Sequence, residues 1–332
     1  MPPESAPLGQ APRPWGLSVA AAAAVGLPLI AAASTGRLAL GALGALGALA
    51  ILHVPVSASP VPVRRLVGCA IGVAISPVLG QLTTAWPSAT WPLFGLLIAA
   101  IVAMTRTANL PSPGHTFFVL GACCGAAEGF HPSLMPFMLL MPAAGAAGAV
   151  VIGLVVRAAA MPRADPGGTA EPVGMPSRAV GFEAIVFGVF AMGALAVGQM
   201  LGIDRPYWVP ISCIAVMRGM SLQAVWRRNL ERIVGTLLGV CVTLLVIVAH
   251  PQPWTIVAVL MLLVLGIHRT LGQSYVITVL LATPACLLLT ELTSTDQALD
   301  IHLLTTRVVD IVLGSVIGLI GGRVLHSRLR PR

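Results

Sequence analysis

Apolar segments of helix length follow one another along almost the whole chain, separated by short polar connections. Twelve can be drawn: 15–35, 38–54, 66–82, 91–105, 114–127, 134–157, 179–201, 206–218, 233–249, 254–268, 271–290 and 303–325. A helix needs about 20 predominantly apolar residues to cross a bilayer. The chain is 57% hydrophobic and 9% charged, whereas soluble domains carry about 25% charged residues. The pattern therefore predicts an all-α polytopic membrane protein with about 12 transmembrane helices.

The arginines predict how these helices are oriented. All 19 basic residues are arginine, and with a cytoplasmic N-terminus 16 of the 19 fall in cytoplasmic segments. Arg37 and Arg205 fall on the outer side, and Arg307 falls inside the last helix. Cytoplasmic loops of membrane proteins are enriched in basic residues. The distribution predicts six plus six helices with both termini cytoplasmic, and it explains the net charge of +8 without a nucleic-acid partner.

Short motifs recur in the two halves of the chain. RLVGCAIG at 65–72 matches RIVGTLLG at 232–239, and IGLVVR at 152–157 resembles IGLIGGR at 317–323. Six helices are an even number, so both halves run in the same sense as a parallel repeat. The predicted divisions are a disordered tail (1–14), an N-terminal repeat (15–157), a cytoplasmic linker (158–178), a C-terminal repeat (179–325) and a basic tail (326–332).

The C-terminal half carries motifs that identify a family. They are Tyr207-Trp208 at a helix start, the basic elbow with Arg228 and Arg232, Gly235-Thr236-x-x-Gly239, and Arg307-x-x-Asp310-x-x-x-Gly314-x-x-x-Gly318. Over about residues 185–325 this pattern resembles the fusaric acid resistance (FUSC) family, which includes bacterial aromatic acid exporters. The first half resembles the family more weakly, through Arg65 to Gly72.

The resemblance implies a multi-pass transporter of the bacterial cytoplasmic (inner) membrane that exports aromatic or related organic acids. Its partners would be a small organic anion as substrate and the surrounding membrane lipids, with no cofactor. The large exporters of the family resemble two six-helix blocks separated by a sizeable cytoplasmic domain, whereas only the linker 158–178 intervenes here. Assembly with a periplasmic adaptor is therefore undecided. Two halves in one chain could suffice alone or pair again as a homodimer.

Arg307 and Asp310 are the first candidates for chemistry. They are three residues apart, which places them on one helical face. An ionisable group at bilayer depth costs at least ~2.5–3.5 kcal/mol, so it usually marks a pathway or a partner. One hypothesis is that Arg307 binds a substrate carboxylate while Asp310 serves as its counter-charge or carries the coupling proton. The alternative is a permanent structural ion pair.

Four further positions complete the candidate site. Arg232, and its counterpart Arg65 in the first half, are expected to bind substrate from a shared central cavity. Trp208 either stacks on an aromatic substrate or belongs to the aromatic belt that marks membrane interfaces. Glu183 is either a second proton-coupling group or a carboxylate that reaches the cytoplasmic water.

The remaining motifs have simpler interpretations. The elbow arginines Arg218, Arg227, Arg228 and Arg232 fix topology, bind lipid headgroups or attract anions, and Arg232 is the one expected to do more because it lies one turn before Gly235. Small residues four apart let helices approach closely, which predicts packing roles for three glycine pairs: Gly68/Gly72, Gly235/Gly239 and Gly314/Gly318. The histidines have no metal-ligand spacing, so we expect no metal.

Four functions compete at this point, one of them a membrane scaffold that transports nothing. The favoured one is a secondary transporter driven by the proton gradient. A passive organic-anion channel would use the same arginines without a proton carrier. A membrane-embedded lipid-linked transferase would need clustered carboxylates for metal–diphosphate chemistry, and the closest approach to such a cluster is Asp296 and Asp300 in an outer loop. We therefore expect a protein that is not an enzyme.

Overall fold

Twelve α-helices make up the described part of the chain. The computed structural model describes residues 13–54, 63–110, 113–160, 177–217, 222–249, 251–293 and 301–329. The helices are α1 (Trp15–Ser34), α2 (Leu38–Ala48, extended by a 3₁₀ turn to His53), α3 (Val63–Leu82), α4 (Thr90–Thr107), α5 (Thr116–Ala127), α6 (Met135–Ala160), α7 (Ser177–Met200), α8 (Trp208–Met217), α9 (Leu222–Val248), α10 (Pro253–Thr270), α11 (Tyr275–Thr293) and α12 (Ile301–Leu329).

The predicted all-α fold class is confirmed for the described residues. Eight of the helices are long and apolar enough to cross a membrane, and four shorter apolar helices accompany them. The tail 1–12, most of the linker, Arg218 and the loop with Asp296 and Asp300 lie outside the described residues.

The largest departure from the predicted segments is the start of α9. The apolar run was expected to begin at residue 233, but the helix begins at Leu222 and takes in most of the basic elbow. Neither glycine nor proline occurs between Leu222 and Val234, and arginine, glutamine and leucine are good helix formers. The helix therefore continues without a break from the polar elbow into the apolar layer, which fixes the elbow arginines in register with the glycines that follow.

The helices of each half pack in the same order. In the first half α1 packs on α2, α2 on α6, α3 on α5, and α3 on α6. In the second half α7 packs on α8, α8 on α12, α9 on α11, and α9 on α12. The halves meet through α1 with α10 and through α4 with α7, so the first helix of each half contacts the fourth helix of the other.

Glycines allow the closest helix contacts. A Cβ at Gly235 would lie 2.7 Å from the carbonyl oxygen of Val276, and one at Gly239 would lie 2.7 Å from Cβ of Thr283. These two contacts join α9 to α11 by close backbone approach, as small residues do between membrane helices. Gly72 likewise faces the ring of Phe118, whereas a Cβ at Gly68 would meet open space instead of the expected helix neighbour.

Candidate functional site

One face of α12 carries Arg307, Asp310, Gly314 and Gly318. Successive spacings of three and four residues keep these positions on one side of a helix. A Cβ at Gly314 would lie 2.5 Å from Cβ of Ser212, and one at Gly318 would lie 2.6 Å from the carbonyl oxygen of Cys213. The glycines thus pack this face against α8, and Asp310 and Arg307 lie on the same face, about one and two turns before Gly314.

Arg307 is buried against an aromatic ring. Its guanidinium carbon lies 4.2 Å from the centroid of the Trp208 ring, and the two residues are 5% and 7% exposed. Cation–π contact of this kind contributes about 2 kcal/mol when the pair is desolvated. Nε and Nη1 of Arg307 have no hydrogen-bond partner among the described residues. Trp208 therefore faces the bundle interior instead of an outer aromatic belt.

Asp310 is a counter-charge to Arg307 on the same helix. It is 1% exposed, and the two side chains attract each other electrostatically. Its Oδ1 has no hydrogen-bond partner within the described part of the chain. A buried charge usually has its hydrogen-bonding capacity filled. Both members of this pair thus keep unused capacity toward a further group.

A second stripe, on α9, brings two more arginines to the same region. Arg228, Arg232, Gly235 and Gly239 share one face of α9, and the glycines press that face against α11. The first residue of α11, Tyr275, consequently meets the arginines. The guanidinium carbon of Arg228 lies 4.1 Å from the centroid of the Tyr275 ring, and the charges of Arg228 and Arg232 both act on the Tyr275 side chain electrostatically.

Arg232 connects the two stripes. It is 8% exposed, and its Nη2 donates a hydrogen bond of 3.4 Å to Oγ of Ser212 on α8. Arg232 and Arg307 repel each other electrostatically, and Nε of Arg232 has no hydrogen-bond partner among the described residues. Two cations this close inside an apolar bundle raise the energy of the empty site, and an anion between them would lower it.

We call this group of side chains the arginine cluster: Arg228, Arg232, Ser212, Tyr275, Arg307, Asp310 and Trp208. Its three arginines outnumber its one carboxylate, and its donors are guanidinium groups, which match a planar carboxylate in pairs. The arrangement can bind an organic anion. Sequence patterns predict Arg232, Arg307, Asp310 and Trp208 as members of this site, but they give no indication of Tyr275 or Ser212. The glycine register on α9 signals where the arginines point, but nothing in the sequence reveals which helix they meet.

The other two predicted site residues lie elsewhere. Arg65 is half-buried on α3, which packs on α5 and α6. Glu183, on α7, is 6% exposed and forms a salt bridge of 2.5 Å with Arg106 on α4. Trp91 and Gln199 hydrogen-bond at 2.5 Å near the opposite ends of the same two helices. The Glu183 pair thus joins the two halves of the chain at α4 and α7. It is separate from the arginine cluster.

The described residues contain no group of three or more His, Cys, Asp or Glu side chains placed to hold a metal ion.

Comparison with known proteins supports the expected family. Residues 191–321 match the family model described as fusaric acid resistance protein-like. Over 150 residues, or 45% of this chain, the sequence is 27% identical to the uncharacterized membrane protein YvaC of Bacillus subtilis (strain 168). The aligned region is 24% of the length of that protein, so this chain corresponds to about a quarter of it. No solved structure matches the chain.

Proposed function

Because residues 191–321 match the family model described as fusaric acid resistance protein-like, we propose that this multi-pass membrane protein exports aromatic or related organic acids. The arginine cluster is the substrate site in this proposal. Arg307 and Arg232 bind the carboxylate, and the aromatic side chains beside them hold the ring. The membrane is the bacterial cytoplasmic membrane, with both termini of the chain on the cytoplasmic side.

The observation that carries the proposal is that Arg307 is buried while two of its hydrogen-bond donors have no partner among the described residues. A cation that is 5% exposed and surrounded by apolar helices is costly to keep. Its Nε and Nη1 have no hydrogen-bond partner among the described residues, and its nearest cationic neighbour, Arg232, makes the empty site less favourable still. A structural ion pair would use those donors. Unused donors on a buried guanidinium are what a carboxylate-binding site requires.

The first-half positions that correspond to Arg307 and Asp310 carry no charge. When IGLVVR at 152–157 is aligned with IGLIGGR at 317–323, Arg307 and Asp310 correspond to Pro142 and Gly145. There α2 and α6 meet backbone to backbone, because a Cβ at Gly47 would overlap the carbonyl of Pro142. We therefore place the substrate path in the C-terminal half, where charged and aromatic side chains occupy the corresponding space.

The packing order of the helices supports the proposed repeat. Matching contacts in residues 15–160 and 177–329 are what two copies of one six-helix unit would make. An axis along the membrane normal relates the two copies in this proposal, and it exchanges the α1–α10 contact with the α4–α7 contact.

Asp310 supplies the coupling in the proposed mechanism. Export driven by the proton gradient exchanges an outgoing anion for an incoming proton, so the carrier binds one or the other and not both. In this scheme Asp310 takes up a proton on the outer side after the anion has left, and it releases that proton to the cytoplasm before the next carboxylate binds Arg307. A channel would use the same arginines without this exchange.

The test uses inside-out membrane vesicles that contain the protein. Uptake of labelled 4-hydroxybenzoate is measured with an acid-inside pH gradient and again after the gradient is collapsed. The proposal expects accumulation against the concentration gradient, lost on collapse and lost in Asp310→Asn. The control is Arg323→Gln, which changes an exposed arginine on the same helix and should accumulate as the unaltered protein does.

Two outcomes would contradict the proposal in different ways. Uptake that only equilibrates, with or without the gradient and in Asp310→Asn, would indicate a passive channel. Uptake no greater than in vesicles without the protein, for hydroxybenzoate and a panel of other aromatic acids, would overturn export of aromatic acids.

A further inference from the structure

A pocket lies beside Trp208 at the end of the bundle where α5, α7 and α11 terminate. Its volume is ≈ 370 Å³ including its open mouth. The walls include Cys124 and Glu128 at the end of α5, Arg205 in the connection before α8, Trp208, and Thr290 on α11. The pocket thus lies between the two halves of the chain.

Two turns hold the rim of this pocket in place. Gly129 follows Glu128 with φ of 72° and Gly202 follows α7 with φ of 65°, a left-handed conformation that glycine adopts at little cost. The chain can therefore turn away immediately after Glu128. The second turn brings Arg205 back over the pocket.

The pocket is separated from the arginine cluster by a thin wall. Trp208 lines the pocket and also contacts the guanidinium of Arg307. Cys124 lies within electrostatic range of Cys286, which in turn lies within range of Arg307 and Arg232. One layer of side chains thus divides the two spaces, and the indole of Trp208 is part of both.

We propose that this pocket is a second binding site for the transported anion, in which Arg205 binds the carboxylate and Trp208 stacks on the aromatic ring. The inference rests on the proposed function, because the second site would bind the anion on its way from the arginine cluster to the outer side of the membrane. A ring that moves between the two sites keeps contact with the same indole, while its carboxylate passes from Arg307 to Arg205.

Glu128 has a definable role in this second site. Its charge and that of Arg205 attract each other, so an arriving carboxylate competes with Glu128 for the same cation. Removing the charge of Glu128 should therefore strengthen anion binding. This expectation separates a binding role from general damage to the fold, because a damaged protein loses affinity instead of gaining it.

The experiment is equilibrium dialysis of the purified full chain in detergent against labelled 4-hydroxybenzoate. The variant Arg307→Gln/Asp310→Asn removes both charges of the deep site and should retain one binding site. Adding Arg205→Gln to it should weaken the remaining binding at least tenfold. Adding Glu128→Gln instead should tighten it about threefold. The matched control is Arg37→Gln, which changes an exposed arginine that lines a different, apolar groove.

The outcomes distinguish this inference from the proposed function. If the unaltered protein binds one molecule and Arg307→Gln/Asp310→Asn binds none, the second site does not exist but the deep site stands. If Arg205→Gln and Arg37→Gln weaken binding equally, Arg205 is not the carboxylate partner and the inference is wrong. If the pocket binds hydroxybenzoate as described but vesicles take up no aromatic acid, the second site stands and the transport function is wrong.

Discussion

Replacing Arg307 alone, and together with Asp310, tests whether the buried charges belong to a ligand site or to the fold. Arg307→Gln leaves the carboxylate of Asp310, which is 1% exposed, without its nearest cation. Breaking a buried charge pair from one side costs about 3–5 kcal/mol. The lost contact with the Trp208 ring, 4.2 Å from the guanidinium carbon, adds ~2 kcal/mol. The free energy of unfolding should fall by the sum of these two effects.

Adding Asp310→Asn should recover most of that loss. The neutral amide no longer needs a cation, so only the cation–π contribution of ~2 kcal/mol stays missing. The double variant should therefore be more stable than Arg307→Gln by about 3 kcal/mol or more. Binding of hydroxybenzoate to the deep site should not return, because the carboxylate still lacks its partner.

The assay is unfolding in mixed micelles titrated with dodecyl sulfate and followed by far-ultraviolet circular dichroism, with binding measured on the same preparations. Arg323→Gln is the matched control on α12 and should change stability by no more than about 0.5 kcal/mol, as exposed substitutions usually do. A double variant that is no more stable than Arg307→Gln would contradict this prediction. A double variant that keeps both the stability and the deep-site affinity of the unaltered protein would also contradict it, since Arg307 would then contribute to neither.

Three further predictions concern packing and charge. Gly145→Ala should sharply lower the midpoint of unfolding, because its Cβ would overlap the backbone of α2, whereas Gly148→Ala, with open space around it, should not. Burial raises the pKa of Glu128 above its ordinary value, so ionisation of this group destabilises the fold as pH rises through that pKa. Glu128→Gln should therefore raise the unfolding midpoint at pH about 7.5, and the gain should shrink near the ordinary glutamate pKa of about 4.3; an equal gain at both pH values would refute this. Arg106→Gln should destabilise more than Glu183→Gln, because the Arg106 side chain is 40% exposed and can turn to water while the Glu183 side chain, 7% exposed, cannot; equal losses in circular dichroism melts would contradict it.

The sequence could predict much of the fold because hydropathy acts on each segment separately. Whether Trp15–Ser34 or Ser177–Met200 forms an apolar helix depends on the transfer free energies of its own residues. The predicted helix boundaries are wrong where hydropathy carries no information. At Leu222, for example, helix propensity extends α9 through a polar stretch.

The candidate site was only half visible in the sequence. The rarity of charge in apolar helices singled out Arg307 and Asp310, and the shared spacing after Arg232 singled out the glycine stripes. The partner of Glu183 was not visible, because Arg106 lies on a helix of the other half and nothing in its own segment indicates where α4 packs.

The sequence by itself thus determined a membrane protein built from apolar helices, with a few charges that the bilayer makes expensive, and the placement of its arginines predicts how the helices are oriented. Only the tertiary structure decided that Tyr275 meets Arg228 and Arg232, and that Arg307 lies on Trp208. The physical reason is that insertion energies add residue by residue along the chain. Contacts between helices instead depend on which helix faces meet and at which position along the helix axes they meet. The close approach of the helices at the glycines sets both.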